Sequence, residues 1–282
     1  MYDVSVVIPS LGTSDILRTI NSLNNGTVRP REILVCIPEG FESNLSSYKF
    51  DSNVEIVITK GKGQVFQRSI GFQVAKSNLV MQFDDDCLAN PSLISILASR
   101  IVNENNKIAV APAIINENNK EASIYKRDKI KIFEIIYSLL LNGTFSIKPG
   151  TVTKAGVNFG IDFDKQHAVE LEVDWIPGGC MMLKKENLIT TNFYPFEGKA
   201  FCEDLIHSYY LRKSGVKLLI IGSEKCITKL ENSSLKNIYQ EVKADFQIRR
   251  FYLNLSNSFS YRLYFYFLIN LFLRIIKLIK VK

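Results

Sequence analysis

The first hundred or so residues alternate between strand signals and helix signals, and this alternation constrains the fold more than any other feature. Short apolar runs typical of buried strands occupy residues 4–9, 32–37, 54–59, 78–83 and 108–113. Helical spacing of apolar residues follows three of these runs, and in the helix that begins near Gly61 the expected buried face contains Phe66, Ile70 and Val74. Repeated strand–helix–strand units connect parallel strands with right-handed crossovers. The sequence therefore predicts an α/β fold with a mostly parallel sheet and helices on both faces.

The strand at residues 78–83 ends in three consecutive carboxylates, Asp84, Asp85 and Asp86. Three like charges at the end of a buried strand repel one another unless a cation or a positive side chain lies beside them. Mg²⁺ and Mn²⁺ prefer oxygen ligands and often bridge a carboxylate to substrate phosphates, and strand ends of α/β sheets are where ligands bind. The triplet predicts a site for a divalent cation and a phosphate, with a solvated acidic loop as the alternative.

Composition narrows the class of protein. The chain has 282 residues and 46% hydrophobic content, enough for one sizeable domain with an appendage or for two small domains. Its five cysteines are scattered and form no CxxC pair, which favours a reducing compartment over a disulfide framework or a zinc site. The first nine residues have no basic region and only a short apolar run, which indicates a strand and not a signal peptide. These features favour a cytoplasmic protein.

The basic character of the chain belongs to its C-terminal segment. Residues 243–282 contain eight Lys and Arg against one acid, Asp245, which accounts for the whole formal net charge of +7. The apolar run at 263–273 is shorter than the roughly 20 residues that a spanning helix needs. Polar side chains recur at helical spacing on one stripe of this segment: Arg262, Tyr266, Asn270, Arg274 and Lys277.

An apolar face, aromatic residues and a basic stripe predict that residues 243–282 form an amphipathic tail lying on an anionic membrane surface. Packing on the core or on a second subunit is the alternative. Nucleic acid is not an expected partner, because the aromatic residues lie among aliphatic ones and not among polar ones. A second apolar helix candidate at residues 130–141 is either another docking surface or part of the core.

Five motifs occur in an order that resembles glycosyltransferase family 2. They are the strand 4–9, Gln67-Arg68-Ser69-Ile70-Gly71, the triplet 84–86, Pro177-Gly178-Gly179 and Glu203-Asp204. The resemblance covers about residues 3–230. It implies a GT-A fold and the transfer of a sugar from a nucleotide diphosphate to an acceptor, with inversion at the anomeric centre.

The resemblance also implies which residues bind the donor. The nucleotide would contact the end of the first strand, and residues without a Cβ would let the backbone approach the donor sugar. Members of the family carry an acidic residue after the second strand for the base, and Glu39 is the candidate here. The implied donor-binding set is Pro9, Ser10, Glu39, Arg68, Asp84, Asp85, Gly178 and Gly179.

The remaining implied residues hold the metal and carry the chemistry. Asp86, with Asp84, would hold Mg²⁺ or Mn²⁺, which neutralises charge on the departing diphosphate as a Lewis acid. Asp204 would accept the proton of the acceptor hydroxyl, with Glu203 beside it in the catalytic set. If both carboxylates point into the cleft, Glu203 repels Asp204, and this repulsion raises the pKa of Asp204. Alternatively, both simply place negative charge at a helix N-terminus.

The chain departs from the family pattern after its late strand, where many members carry a metal-binding histidine. Residues 226–230 hold none, and Lys229 is a candidate for offsetting the diphosphate charge directly. Trp175 either stacks on a sugar or belongs to the core, and the core is the favoured interpretation. His167 shows no ligand spacing. His207 lies four residues after Glu203 and could orient it, although a surface histidine is expected.

These observations predict a transferase of residues 1–242, with an insertion at about 116–172, followed by the tail. By resemblance, it would add a sugar to a lipid-linked saccharide in bacterial surface polysaccharide synthesis, on the inner face of the cell membrane. A processive synthase is not expected, because no helix could form a channel. Two alternatives stay open, a nucleotidyltransferase and a non-catalytic nucleotide-binding scaffold at the membrane.

Overall fold

The computed structural model describes residues 2–117, 131–161, 163, 169–196, 200–228, 238–258 and 261–280. Their Cα atoms group into two compact units. The first unit combines Met1–Ile124 with Phe163–Leu230, and the second combines Tyr125–Asp162 with Glu231–Lys282. Part of the predicted insertion therefore groups with the C-terminal segment, while the domain bounds given by the sequence stay a prediction.

The strands and helices are as follows. The strands are β1 (Val4–Pro9), β2 (Glu32–Pro38), β3 (Val54–Thr59), β4 (Leu79–Phe83), β5 (Cys87–Ala89), β6 (Ile108–Asn116), β7 (Glu170–Val173), β8 (Cys180–Lys184) and β9 (Lys217–Thr228). The α-helices are α1 (Ile16–Asn24), α2 (Gln64–Val74), α3 (Leu93–Val102), α4 (Lys131–Asn142), α5 (Glu203–Lys213), α6 (Ile238–Leu255) and α7 (Tyr261–Lys280). Short 3₁₀ turns occur at Glu42–Leu45 and Lys185–Asn187.

The described strands of the first unit form one sheet in the order β3-β2-β1-β4-β8-β6-β9-β5, and β7 also pairs with β9. Strands β1 to β4, β6 and β9 run in one direction, and β5, β7 and β8 run in the other. The prediction of an α/β fold with a mostly parallel sheet is confirmed. The sequence did not predict that β8 inserts antiparallel between β4 and β6.

Helices cover both faces of the sheet, as predicted. β1 alternates between two cores, since Val4, Val6 and Ile8 pack with α1 and α3 while Val7 packs with α2. Every residue of β1, β2 and β4 is buried, which fits central strands that are covered on both faces.

Helix α2 presents a different face to the sheet from the one predicted. Val65, Arg68 and Phe72 are buried, whereas Phe66 and Ile70 are only partly buried and Val74 is exposed. Gly71 explains this orientation, because a Cβ atom at this position would lie 2.4 Å from Cγ1 of Val7 on β1. A side chain at this position would clash with the sheet, so the helix packs with Gly71 facing β1, and that contact determines which side is buried.

The second unit has a core of its own. Leu141 at the end of α4 packs with Ala155 and Val157, and Tyr266 of α7 lies against this cluster. Arg249 of α6 is buried there and donates hydrogen bonds to the carbonyl of Gly156 at 2.7 Å and to Oδ1 of Asn158 at 3.1 Å. Within the described part of the chain, no helix is both long and apolar enough to cross a membrane.

Candidate active site

The parallel strands bring the predicted donor-binding residues to one edge of the sheet. Ser10 follows β1, Glu39 follows β2 and Asp84 follows β4, and these three strands are neighbours that run in the same direction. β8 begins at the same edge, because Cys180 pairs with Phe83 and places Gly178 and Gly179 next to Asp84. The backbone N–H of Asp84 donates to the carbonyl of Gly179 at 2.9 Å. Glu39 lies exposed at this edge.

Arg68 of α2 is the buried centre of the site. Its guanidinium group donates to Oδ1 of Asp84, to Oε1 of Glu203 at 3.1 Å and to the carbonyl of Gly178 at 3.2 Å. Burial opposes the charge on Arg68, but the two carboxylates outweigh burial and raise its pKa above the ordinary value. This one side chain therefore connects β4, the loop before β8 and the start of α5.

Asp85 is held on the other side of the triplet. Its Oδ2 accepts hydrogen bonds from Oγ of Ser10 at 2.5 Å and from Oγ1 of Thr13 at 3.0 Å, and Thr19 donates to its backbone carbonyl at 2.9 Å. Burial raises the pKa of Asp85, and the two hydroxyl donors oppose that rise. These contacts orient Asp85 toward the end of β1.

Asp86 lies partly buried beside the other two carboxylates of the triplet. Burial raises its pKa to about 6, and the negative charges of Asp84 and Asp85 add to that rise. Protonation relieves such crowding, and so does a bound cation. Carboxylate oxygens suit a hard divalent ion such as Mg²⁺ or Mn²⁺.

The carboxylates of the triplet therefore fit a divalent cation that is held by few protein ligands. Among the residues that the structure describes, no three His, Cys, Asp or Glu side chains converge into a cage for a metal ion. Mg²⁺ in particular is usually bound by one or two carboxylates together with substrate phosphates, and not by a cage made only of protein. Asp86 and Asp84 are the groups that fit this arrangement.

The glycine pair is shaped by its neighbours. A Cβ atom on Gly178 would lie 2.5 Å from Oε1 of Glu203, and one on Gly179 would lie 3.3 Å from Sγ of Cys87. Any side chain at position 178 would displace Glu203 and, through it, Arg68. Gly178 is therefore required by the packing of the site, whatever it contacts in a ligand.

The two acidic residues that open α5 have different environments. Glu203 is buried against Arg68, and burial, followed in effect by the charge of Asp84, raises its pKa against the opposing attraction of Arg68. Asp204 is partly exposed, and its Oδ1 accepts a hydrogen bond from the N–H of Leu205 at 2.8 Å. Of the two, Asp204 is the more exposed.

Sequence reasoning assigned no role to three glutamines that order the site, although Gln67 stands in one of the quoted motifs. Gln64 donates to Asp84 at 3.0 Å, Gln82 donates to the carbonyl of Gly178 at 2.7 Å, and Gln67 donates to the carbonyls of Ser10 and Cys36 at 2.9 and 2.6 Å. Gln82 could have been found, because it is the only polar residue inside an otherwise apolar strand. A buried polar side chain needs a partner, and here the partner is the glycine loop.

Two expectations about single residues have clear outcomes. Trp175 is buried, in agreement with the favoured core interpretation. The expectation that His207 lies on the surface is wrong, because its ring is buried and stacks on Phe193 with centroids 5.0 Å apart. Burial, together with the positive charge of Arg68, lowers the pKa of His207 to about 3. His167 and Lys229 lie outside the described residues.

A cleft of about 730 Å³ opens beside this cluster. Gln64, which donates to Asp84, is part of its wall, and Lys62 and Phe66 of the same segment line it too. Tyr194 and Phe196 line it from the loop that precedes α5. The cleft thus continues the site toward aromatic surfaces.

Comparison with known proteins establishes the family. Residues 5–185 match the model of glycosyl transferase family 2, and this range covers more than half of the chain. The chain belongs to glycosyl transferase family 2. The matched range of this family member includes the triplet 84–86 and the glycine pair, and it ends before Asp204. No curated protein sequence matches the chain.

A solved structure shows the same fold. The crystal structure of GalNAc-T7 with UDP, GalNAc and Mn²⁺ superposes with a TM-score of 0.57 at 17% sequence identity, over 82% of this chain and 44% of that one. A structure of residues 1–349 of TarS from S. aureus superposes with a TM-score of 0.49 at 13% identity, over 80% of this chain and 60% of that one. The chain spans less than two thirds of the length of either structure. The first likeness confirms the GT-A fold of this member of glycosyl transferase family 2.

Proposed function

We propose that this protein transfers a sugar from a nucleotide-diphosphate donor to a hydroxyl group of a saccharide acceptor, with inversion at the anomeric carbon. The observation that carries the proposal is the junction at Arg68, where the carboxylate triplet, the glycine pair and the start of α5 meet at one edge of the sheet. Membership of glycosyl transferase family 2 supports it and speaks against a nucleotidyltransferase.

The residues divide the work as follows. The oxygen of the acceptor hydroxyl bonds to the anomeric carbon, and Asp204 accepts the proton of that hydroxyl. The electron pair of the broken sugar–phosphate bond leaves with the diphosphate. Asp86 and Asp84 would hold Mg²⁺ or Mn²⁺, which stabilises the charge of the leaving diphosphate. Glu203 faces Arg68 and positions it, so we assign Glu203 a positioning role beside Asp204. The donor contacts Ser10, Glu39, Asp85 and the glycine loop.

The cleft beside Gln64 suits a saccharide, because aromatic rings such as those of Phe66, Tyr194 and Phe196 present flat apolar faces. The basic second unit supports an acceptor that is linked to a lipid, since such acceptors lie at a membrane surface. The proposed setting is bacterial surface polysaccharide synthesis by a protein bound peripherally to the inner face of the cell membrane.

Calorimetric titration with UDP, dTDP and GDP, with and without Mn²⁺, tests the donor site. We expect one nucleotide to bind in a metal-dependent way, and Asp86→Ala to abolish that binding. Asp51→Asn is the matched control, because Asp51 forms an exposed ion pair with Arg29. If no nucleotide binds to the folded protein, the proposal is wrong.

Release of nucleoside diphosphate from the matching nucleotide sugar tests the base. We expect Asp204→Asn to retain nucleotide binding and to lose activity by a factor of about 10² to 10⁴. Unchanged release would remove Asp204 from the mechanism. If the wild-type protein binds the nucleotide and releases none from any sugar donor, it is a non-catalytic binding protein.

A further inference from the structure

The exposed apolar side chains of this protein are concentrated in the second unit. Among the described residues, every aromatic side chain that is exposed belongs to α4, to the turn after it or to α7: Phe133, Phe145, Tyr261, Tyr264, Phe265 and Phe272. Exposed Ile135, Ile136 and Leu139 of α4 and Leu268 of α7 add to them. Single exposed apolar residues are normal, but a cluster of this size marks a surface that binds something.

A helix that packs on its own protein is expected to turn its apolar side inward, but α7 has exposed apolar side chains and polar ones that face the second unit. Arg262 and Tyr266 of its polar stripe are turned toward the unit, where Tyr266 packs on the core cluster and lies under the guanidinium group of Arg249, at 5.3 Å from the ring centroid. Asn270 donates to the hydroxyl of Tyr266 at 3.4 Å. Phe265, Leu268 and Phe272 point outward and are exposed. Water is therefore an unfavourable neighbour for this side of the helix.

Arg262 joins α7 to α4. Its guanidinium group donates to the carbonyls of Leu139 and Leu140, at 2.6 and 2.8 Å, at the C-terminal end of α4. The carbonyl of Leu139 also accepts a hydrogen bond from the N–H of Gly143 at 2.9 Å. The last carbonyls of a helix carry the negative end of the helix dipole, so a cation is favourable there. Gly143 follows with a φ of +75°, the conformation of a glycine that ends a helix. Both helices that carry exposed apolar residues are thus held in one body.

The charge of the second unit identifies the occupant of this surface. The segments 125–162 and 231–282 contain fifteen Lys and Arg against six Asp and Glu, whereas the first unit contains twenty against twenty-two. A second copy of the chain would bring two strongly basic units together, and that contact is repulsive. An anionic lipid surface offers the opposite charge and an apolar interior.

We propose that α4 and α7 together form a membrane-binding surface, which inserts their exposed aromatic and aliphatic residues into the interfacial region of an anionic bilayer. The sequence predicted an amphipathic tail, with an apolar face and a basic stripe, lying on an anionic membrane. In the structure Arg262 of that stripe makes the α4–α7 contact, so apolar insertion provides the specific contact and the charge of the whole unit provides attraction. The inference deepens the proposed function by locating how the enzyme reaches a lipid-linked acceptor, but lipid binding is testable without any sugar substrate.

Co-sedimentation of the full chain with vesicles of phosphatidylcholine, with and without 30 mol% phosphatidylglycerol (about a third of the lipid, comparable to anionic leaflets), is the test. We expect binding to the anionic vesicles, and Leu268→Gln with Phe272→Gln to weaken it at least about tenfold. The matched control is Ile58→Gln with Val102→Gln in the first unit. Its side chains are 56% and 55% exposed, against 61% and 64% for the test pair, and we expect its binding to be unchanged.

Three results overturn the proposal: no binding of the folded wild-type protein to anionic vesicles, binding by the test variant equal to that of the control, or a dimer in light scattering that the test variant abolishes. Nucleotide titration of the same samples separates this inference from the proposed function, because the residues proposed to bind the nucleotide sugar lie in the first unit. Lost vesicle binding with intact nucleotide binding refutes only the membrane surface. Intact vesicle binding without nucleotide binding refutes only the transferase.

Discussion

Replacement of Arg68 by methionine should cost a large part of the stability of the first unit. The guanidinium group is buried and serves Asp84, Glu203 and Gly178 at once. Arg68→Met keeps most of the volume but leaves Glu203 buried without a counter-charge, and removing one partner of a buried ion pair costs about 3–5 kcal/mol. Domains of this size are stabilised by only about 5–15 kcal/mol. We expect unfolding at a lower urea concentration, measured by the fluorescence of the buried Trp175.

Glu203→Gln should behave differently. The amide keeps an oxygen acceptor for Arg68 and removes a buried charge, so we expect a change within about 1 kcal/mol. Combined with Arg68→Met, it should recover about 1–3 kcal/mol relative to the sum of the single variants, because the unpaired carboxylate is gone. The exposed ion pair of Arg29 and Asp51 is the matched control, with Nη2 of Arg29 at 2.8 Å from Oδ2 of Asp51. A double-mutant cycle on this exposed pair should give a coupling free energy of less than about 1 kcal/mol. A buried coupling no larger than this control would refute the reasoning.

The same pair predicts a pH dependence of stability. The pKa of Glu203 is raised in the folded protein, so the folded state holds this proton more tightly than the unfolded chain does. Its contribution to stability is fully present below the ordinary value of 4.5 and is lost as the pH rises through the folded pKa. Glu203→Gln should remove this part of the slope in a series of urea titrations from pH 4 upward. An unchanged slope would show that Glu203 is not the group concerned.

Further predictions concern packing, backbone and thiols. Gly71→Ala should lower the free energy of unfolding by about 1–3 kcal/mol in urea, because its Cβ would meet Val7. Cys202 has a φ of 47°, so Cys202→Gly should be more stable than Cys202→Ala by about 1–2 kcal/mol in the same assay, and equal stabilities would contradict the strain. Titration with an aromatic disulfide should modify only Cys202 in the native protein and five thiols after denaturation. The protected thiols are buried, and burial helps raise their pKa: Cys36, Cys87, Cys180 and Cys226.

The sequence predicted the strands well where a continuous apolar run meets a turn signal. β1 and β3 have the predicted bounds, and β2 and β4 differ from prediction by one residue. The triplet at 84–86 was placed correctly at a strand end because three carboxylates cannot continue a buried strand. β8 was not predicted as an antiparallel insertion, because its apolar run is compatible with either direction and only its pairing with Phe83 decides.

The failures occur where a tertiary contact chooses between two faces that are equally plausible in sequence. Helix α2 has apolar residues on more than one side, and the approach of Gly71 to Val7 decides which side is buried. Arg262 of α7 donates to carbonyls at the end of α4, a contact that the spacing of the polar stripe did not predict. His207 was expected on the surface because histidine is often exposed, but the ring of Phe193 covers it. Spacing gives the periodicity of a helix and not its rotation.

Arg68 shows why the motifs of this site occur together. Its position in α2 is set by Gly71, three residues later, where the helix touches β1. From there its guanidinium group reaches the end of β4, the loop before β8 and the start of α5, so the three motifs that carry the acidic and glycine residues converge on one cation. Glu203 lies on the buried side of that cation, whereas Asp204 is partly exposed. The two adjacent acids therefore have distinct environments, because only Glu203 belongs to the ion-pair network that connects α5 to β4.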